Sequence, residues 1–363
     1  MTDLSQSTVP RDYSLTGPSS KHAVEIGLAS AEWYHTEVPR KLIKDLMQRR
    51  DGPAIRDTII WALGHVLFAW GGIHFWGTWA CVPFWAAYGV LYGSACDSRW
   101  HECGHGTAFR TPWLNDVVYN IASFQVMRNP VAWQWSHARH HTNTYIVGLD
   151  PEISFMRPPP LVKLALAFIG VLAAWQSLRI LLRQAMGTLS DDEKDYIPEP
   201  ERRKAILAAR IHIAIYAATI AAALAWRSWI PLMLIGLPRL YGCWHMVMTG
   251  LLQHGGLADN VVDHRLNSRT VYMNPISRFI YWNMNYHIEH HMFPMVPYHA
   301  QPALHELVKA DNPPPNRSIR DGYAEMYKAV KRQLTEPEYY IRRELPPTAK
   351  PYRDEFHTVF VSR

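Results

Sequence analysis

The chain has 363 residues, a net charge of +6 and a mean hydropathy of −0.17, with 15 Trp and 18 Tyr. That length suggests two or three soluble domains, yet the apolar residues gather into long blocks edged by aromatic and basic side chains, as at a bilayer surface. The Lys and Arg flank those blocks, which argues for anionic-lipid contact and against nucleic acid as a partner. Cys81, Cys96, Cys103 and Cys243 form no C-x-x-C pair and no iron–sulfur or zinc spacing, so neither a disulfide framework nor a built-in cluster is expected.

Residues 1–56 read as a cytosolic arm. Its start, 1–20, is rich in Ser, Thr and Pro and is expected to be disordered. Residues 30–50 read as a helix, either on the bilayer surface or simply solvated, basic at Arg40, Lys41, Lys44, Arg49 and Arg50. Nothing in this polar start resembles a cleavable signal peptide. Apolar runs at 59–75 and 78–96 approach the ~20 residues that cross a bilayer. The link between them carries no Lys or Arg, while Arg56 and Arg99 flank the pair, so they form a hairpin with both ends cytoplasmic. His65, inside the first run, reads as a buried hydrogen-bonded residue.

Residues 161–182 are also long enough to span, but parity argues otherwise. The runs at 206–226 and 230–252 form a second hairpin about Arg227, and an extra crossing would strand the histidines that follow on the far face. Residues 161–182 are therefore placed at the interface, and 187–203 form a cytosolic loop. After Pro297 the composition turns polar, with one amphipathic stretch at 319–334. The expected architecture is an all-α polytopic membrane protein: four transmembrane helices in two hairpins within a domain at 57–297, a cytosolic helical cap, and a cytosolic tail at 298–363. The setting is the cell inner membrane, with both termini on the cytoplasmic side.

Three histidine clusters lie along this frame. His101-Glu102-Cys103-Gly104-His105 follows the second apolar run, and His137-Ala138-Arg139-His140-His141 follows a loosely alternating stretch at 115–127. Asn285-Tyr286-His287-Ile288-Glu289-His290-His291 closes the apolar part. With 19 His in 363 residues, an H-x-x-H-H run is expected by chance about 0.05 times per chain; this chain has two. Residues three and four apart share one face of a helix, so each cluster can aim its imidazoles at one point. Eight imidazoles are too many for one ion and few enough for two.

His254, in Leu251-Leu252-Gln253-His254-Gly255 at the end of the last run, reaches the same membrane face and is a ninth candidate. His245 lies deeper in that run and reads more simply as a packed residue. Asp150, Glu152 and Glu289 are acids placed to accept imidazole N–H bonds from behind the ligands. His299 and His305 are expected to be dispensable. Imidazole suits iron, copper, zinc and nickel alike, but structural zinc closes at four ligands and catalytic zinc usually takes three. Eight or nine donors suit two redox ions with positions left open for oxygen, and iron is the reading adopted.

H-x-x-x-H, H-x-x-H-H and H-x-x-H-H in this order, with apolar hairpins between and around them, resemble the integral-membrane fatty acid desaturase and hydroxylase family. The resemblance runs from about Arg56 to Pro297 and is closest at Asn285-Tyr286-His287-Ile288-Glu289-His290-His291-Met292-Phe293-Pro294. It implies a non-haem di-iron centre held by His101, His105, His137, His140, His141, His287, His290 and His291, with His254 of Gln253-His254 as the further ligand. It also implies O2 as co-substrate, two external electrons, and attack on an unactivated C–H bond that yields an alkene or an alcohol. Asp97-Ser98-Arg99-Trp100 and Gly148-Leu149-Asp150-Pro151-Glu152-Ile153 resemble a bacterial subgroup containing the rhizobitoxine-pathway desaturase and the rhizopine-catabolism oxygenase. A hydroxylase or desaturase of a small polar molecule, amino-acid-like or inositol-derived such as dihydrorhizobitoxine, is thus an alternative to one acting on a fatty acyl or related aliphatic substrate.

No haem box, cysteine quartet or glycine-rich dinucleotide loop is present. The resemblance therefore implies a separate electron donor, a ferredoxin or rubredoxin with its reductase. Arg128, Arg139, Arg265 and Arg269 are candidates for docking an acidic donor. Two rival classes remain. The first cluster is also H-E-x-x-H, the motif of a zinc metalloprotease with Glu as general base, although Gly104 and Gly106 weaken the helix that motif needs. Metal transport or sensing would instead spread the ligands along a transmembrane path.

Overall fold

The structure is a computed structural model and describes residues 11–357. Among the described residues all regular structure is helical, with only two isolated β-bridges, Thr270 to Tyr286 and Val271 to Asn316. The expected all-α class holds.

The N-terminal arm contains α1 (Pro18–Glu25) and α2 (Arg40–Leu46). Of the stretch expected to be disordered, residues 1–10 lie outside the described residues; from Arg11 onward the arm is pinned. Arg11 ion-pairs with Asp259 and Glu338, and Ala23 and Leu28 pack on Ile146, Leu149 and Val262. α2 seats Ile43 and Leu46 against Val296, Leu304 and Val308 and leaves Arg40, Lys41 and Lys44 exposed.

α3 (Asp51–His74) and α4 (Cys81–Gly93) fold back on one another, with the Trp61 indole donating to the Leu91 carbonyl at 3.0 Å. On α3 the large apolar side chains Ile59, Ile60, Leu63, Val66, Leu67 and Trp70 are exposed, whereas Ala54, Gly71 and Gly72 are buried. That is the inverse of a water-soluble helix, and small residues at the contact let the backbones approach. A break at Ser94 separates α4 from α5 (Ala95–Gly104), so the first histidine cluster emerges directly from this pair. α6 (Pro112–Gln125) covers α5, with Val118, Tyr119 and Ala122 in one core with Trp100 and Cys103.

α7 (Pro130–Thr142) begins at Asn129, whose side chain accepts from the N–H groups of Val131 and Ala132, a standard helix start. The Asn129 amide also donates to Gln184 Oε1 at 2.8 Å and to the Ala205 carbonyl at 2.7 Å. These bonds fix the helix carrying the second cluster. α8 (Leu161–Ala167) and α9 (Val171–Ala185) meet at 85°, the corner being Gly170 at φ +68° pressed against Cys243. α10 (Asp191–Tyr196) leads to α11 (Glu199–Ala225), the one described helix long and apolar enough by length and composition to cross a membrane; the bent pair α8–α9 is a second candidate. Like α3, α11 turns Leu207, Ile211, Ile215 and Leu224 outward and buries Ala205, Ala209 and Ala223.

The run at 230–252, expected as one span, is three helices: α12 (Ile230–Leu234), α13 (Pro238–Tyr241) and α14 (Trp244–His254). Pro231 and Pro238 each start a helix and Gly236, at φ +94°, turns the chain between them. Beyond them the backbone crosses α4 so closely that a Cβ on Gly242 would overlap the Gly89 carbonyl.

α15 (His264–Asn267) and α16 (Pro275–Ile280) lead to α17 (His287–Met292), which carries the third cluster. Fully buried Arg99 donates to the Ala95 and Ile280 carbonyls and lies among the Trp61, Phe279 and Trp282 rings, latching this approach onto α5. Residues beyond 297, expected as a tail, contain α18 (Gln301–Val308) and α19 (Ile319–Gln333) and pack tightly. Tyr323 and Met326 lie with Leu251 and Leu252 of α14, and Glu325 pairs with Arg269 and Arg343.

Candidate metal centre

Each histidine cluster occupies the last turn or the whole of a short helix. His101 and His105 end α5, His137, His140 and His141 end α7, His254 ends α14, and His287, His290 and His291 fall within α17. Imidazole nitrogens of His101, His105, His137, His141 and His290 all lie within 4.8 Å of one another, and so do those of His140, His254 and His291. His287 joins the second set, its Nε2 lying 3.0 Å from His254 Nε2 and 3.1 Å from His291 Nε2. All nine predicted histidines thus come together, five about one point and four about another.

The hydrogen-bond pattern behind the rings settles which nitrogens face inward. His137 Nδ1 meets Glu152 at 3.1 Å, His140 Nδ1 meets Asp150 at 2.8 Å, and His254 Nδ1 meets the Asn267 carbonyl at 2.7 Å. A neutral ring has one proton, and these acceptors hold it on Nδ1, which leaves Nε2 as a bare lone pair. Yet His137 Nε2 sits 3.1 Å from both His105 Nε2 and His141 Nε2, and His141 Nε2 sits 3.2 Å from His290 Nε2. Such contacts cannot all be hydrogen bonds. Donors about 2.0–2.1 Å from a common metal ion and at right angles to one another would stand about 3 Å apart, so the residues present fit a cation at each point.

Electrostatics agree. Burial holds His101, His105, His141, His287, His290 and His291 well below the usual imidazole range, aided by their neighbours, so these rings are neutral donors. Burial would also lower His140, but the Asp150 carboxylate outweighs it and raises that ring. Burial would raise Glu152, but His137 keeps its carboxyl below the usual range. Glu289, the third acid, does not meet a clustered histidine: its carboxylate takes the Thr270 hydroxyl and His305 Nδ1. His245 lies outside both groups, with its Nε2 3.1 Å from the Ser277 hydroxyl, and His65 bonds the Trp61 carbonyl.

Several residues at the centre carry no signal that spacing alone would flag. His264 stacks between Trp33 and His291, with ring centres 4.3 and 5.0 Å away, and covers the four-histidine group from the arm side. Thr144 places its hydroxyl 3.2 Å from His291 Nδ1. Fully buried Glu102 lies behind His101 and His290, one oxygen accepting from the Tyr298 N–H at 3.0 Å. Burial pushes its carboxyl up to about 8, against the lowering by Tyr298 and Thr107. This placement and the five imidazoles around His101 and His105 differ from a zinc protease site, which has three protein ligands and a base facing the open position.

A cavity of about 280 Å³ borders His101, His105 and His137 and is walled by Trp100, Trp133 and Tyr119. A second, of about 390 Å³, shares Gly104, His105, Tyr119 and Gln134 with it and extends to Arg49 and Asp116. The expected basic docking face is not built as read from the sequence. Arg265 and Arg269 are buried in ion pairs with Asp263 and Glu325. Arg128 pairs with Asp97 and lies over the Trp133 ring, and Arg139 pairs with Asp195.

Against known proteins, the family model for fatty acid desaturase matches residues 77–323. An omega-6 fatty acid desaturase of the endoplasmic reticulum (isozyme 1) from Glycine max is 36% identical over 84 residues, 22% of this chain and 21% of that protein. A Delta(12) fatty acid desaturase, fat-2, from Caenorhabditis elegans is 34% identical over 77 residues, 21% and 20%. An sn-1 acyl-lipid omega-3 desaturase (ferredoxin) from Nostoc sp. (strain 36) is 30% identical over 74 residues, 20% of each chain. The matched stretches thus span about a fifth of the length of these curated relatives.

Proposed function

The chain belongs to the fatty acid desaturase family, and on that premise we propose that it is a membrane-embedded, O2-dependent oxidoreductase that introduces a C=C bond into a fatty acyl or related aliphatic substrate. The observation that carries this reading is the gathering of nine imidazoles into groups of five and four. Two iron ions are the proposed occupants, one held by His101, His105, His137, His141 and His290, the other by His140, His254, His287 and His291. Iron bound there would supply redox chemistry with O2, able to remove hydrogen from an unactivated C–H bond. Overall, O2, two electrons and two protons are consumed, two hydrogens leave adjacent carbons as the double bond forms, and two waters result.

The chain's own residues prepare that chemistry. Asp150 and Glu152 hold His140 and His137 in the tautomer that donates from Nε2. The indoles of Trp100 and Trp133 beside His101 and His137 offer an apolar wall along which an aliphatic chain can lie. That wall and the acyl-acting relatives favour an aliphatic substrate over a small polar one. The electrons come, in this reading, from a separate ferredoxin or rubredoxin with its reductase; the Nostoc relative carries ferredoxin in its name.

The outward-facing Ile and Leu of α3 and α11 support insertion in the inner membrane. The proposed topology has four crossings, α3, α4, α11 and the broken return α12–α14, with α8–α9 interfacial and both termini and the histidine clusters on the cytoplasmic side. The test is expression with a bacterial ferredoxin system, comparing lipid double bonds and metal content with a His137→Ala variant. New double bonds and two irons per chain are expected only without the substitution. One zinc per chain, or an unchanged lipid profile, would overturn the reading.

A further inference from the structure

One buried carboxylate has no part in the scheme above. Glu102 Oε2 accepts from the Tyr298 N–H at 3.0 Å and the Thr107 hydroxyl at 3.3 Å. Its other oxygen, Oε1, has no hydrogen-bond partner. It faces His101 Nδ1 at 3.6 Å and His290 Nδ1 at 3.7 Å, and both of those nitrogens are also buried and unpartnered. Three buried polar atoms that face one another without partners are costly, and a small approach of the rings would let them satisfy one another.

We propose that Glu102 is a positioning residue whose Oε1 accepts from the Nδ1–H of both His101 and His290, aligning one ligand from α5 and one from α17 on the same ion. The inference rests on the reading that the five-histidine group holds a metal. With an ion bound at Nε2, the Nδ1–H of each ring would be a better donor and both rings would close on the carboxylate. Two N–H groups can share one carboxylate oxygen because it offers two lone pairs. The other oxygen is already engaged, so both ends of the side chain must accept, which requires the ionised carboxylate; the positive charge of an ion on the two rings would oppose the burial that pushes that carboxyl up.

Glutamine cannot replace it. An amide has one accepting end, so Glu102→Gln either turns its NH2 toward the Tyr298 N–H or turns it toward the two imidazoles. Glu152 does the corresponding work for His137 alone. Glu102 differs in serving two ligands from helices far apart along the chain, and through Tyr298, whose hydroxyl bonds Asp57, it ties them to α3.

The test is Co(II) binding to the purified full-length chain in detergent, followed by titration and visible absorption, in the parent protein, Glu102→Gln, Glu102→Leu and Asp150→Asn. The parent should bind two Co(II) per chain. Glu102→Gln should weaken one of them about 10- to 100-fold and change its absorption band, leaving the other intact, and Glu102→Leu should do so more strongly. Asp150→Asn should affect the other ion. Thermal unfolding of each metal-free variant checks that the fold survives, and the near-isosteric Gln variant carries the test if the Leu variant does not fold. Two ions bound by Glu102→Gln with parent affinity and spectrum would overturn the positioning role alone. A parent chain that binds no ion at the histidines would instead overturn the metal reading beneath it.

Discussion

The two histidine groups are built from the same kinds of helix end, yet they meet the rest of the molecule differently. The five-histidine group is half-open. His105 and His141 are partly accessible, and a cavity walled by tryptophans runs up to His101, His105 and His137. The four-histidine group is closed, with its rings buried, His264 and Trp33 stacked over His291, and Tyr145 stacked on His254 at 4.4 Å between ring centres. Their supports differ too: carboxylates stand behind His137, His101 and His290 on the open side, whereas the closed side uses Asp150, a backbone carbonyl and a hydroxyl. On the proposed reading the contrast is a division of labour, in which the open group would receive the aliphatic chain and the closed group is held as part of the core.

Removing one ligand from each group probes that division most severely. His105→Ala and His291→Ala should each abolish turnover, but metal analysis should find the ion lost from the open group in the first and from the closed group in the second. If either variant loses both ions, the groups are one cooperative unit and the division fails. A milder change is Asp150→Asn, which should lower metal affinity at the closed group about 10- to 100-fold, read by competition with a chelator. Smaller still, Ala138→Phe narrows the cavity beside His137; kcat/KM should fall about tenfold with iron content unchanged. Loss of iron in that variant would show that the cavity is a structural void.

The smallest effect is set by pH and concerns the brace of the closed group. α19 packs on α14, which ends at His254, and Glu325 on α19 is held by Arg343 and Arg269. Burial alone would raise its carboxyl, but the two guanidiniums prevail and lower it from 4.5 to about 2. A depressed carboxyl stabilises the fold fully above its unfolded value, and that contribution fades as pH falls from 4.5 toward about 2. Hydrogen exchange in α19 should therefore rise on acidification through this window before exchange in α5 or α7 does. Equal rises in all three helices would detach Glu325 from the effect.

Most of the metal centre was legible because the information is local. A spacing of three or four puts His137, His140 and His141 on one turn whatever surrounds them, and Asp150 and Glu152 lie close enough in sequence to find those rings. What hid from view depends on partners distant along the chain. Glu102 takes its meaning from His290 and Tyr298, and His264 takes its meaning from Trp33. Glu289 was assigned to the ligands by proximity in sequence, but on the six-residue α17 it points the other way, toward His305. Arg269 read as surface charge because its partner, Glu325, lies far along the chain, and Arg265 did so because neighbouring Asp263 gives no sign that Asp311 and the carbonyls of Lys350 and Pro351 will complete its enclosure. The broken return at α12–α14 was visible in Pro231, Gly236 and Pro238, but average hydropathy over the run outvoted those breakers.

The reach of Glu102 across the fold also bears on how the protein is made. The two rings it faces come from α5 and α17, and the backbone that satisfies its other oxygen belongs to Tyr298, later still. On a ribosome delivering the chain from its N-terminus, His101, His105, His137 and His141 exist for much of synthesis as a partial pocket missing a ligand, and its acid lacks both a brace and one of its imidazoles. On the proposed reading, tight metal capture would wait until the third cluster and Tyr298 have been delivered and folded back against α5, which places loading late in assembly.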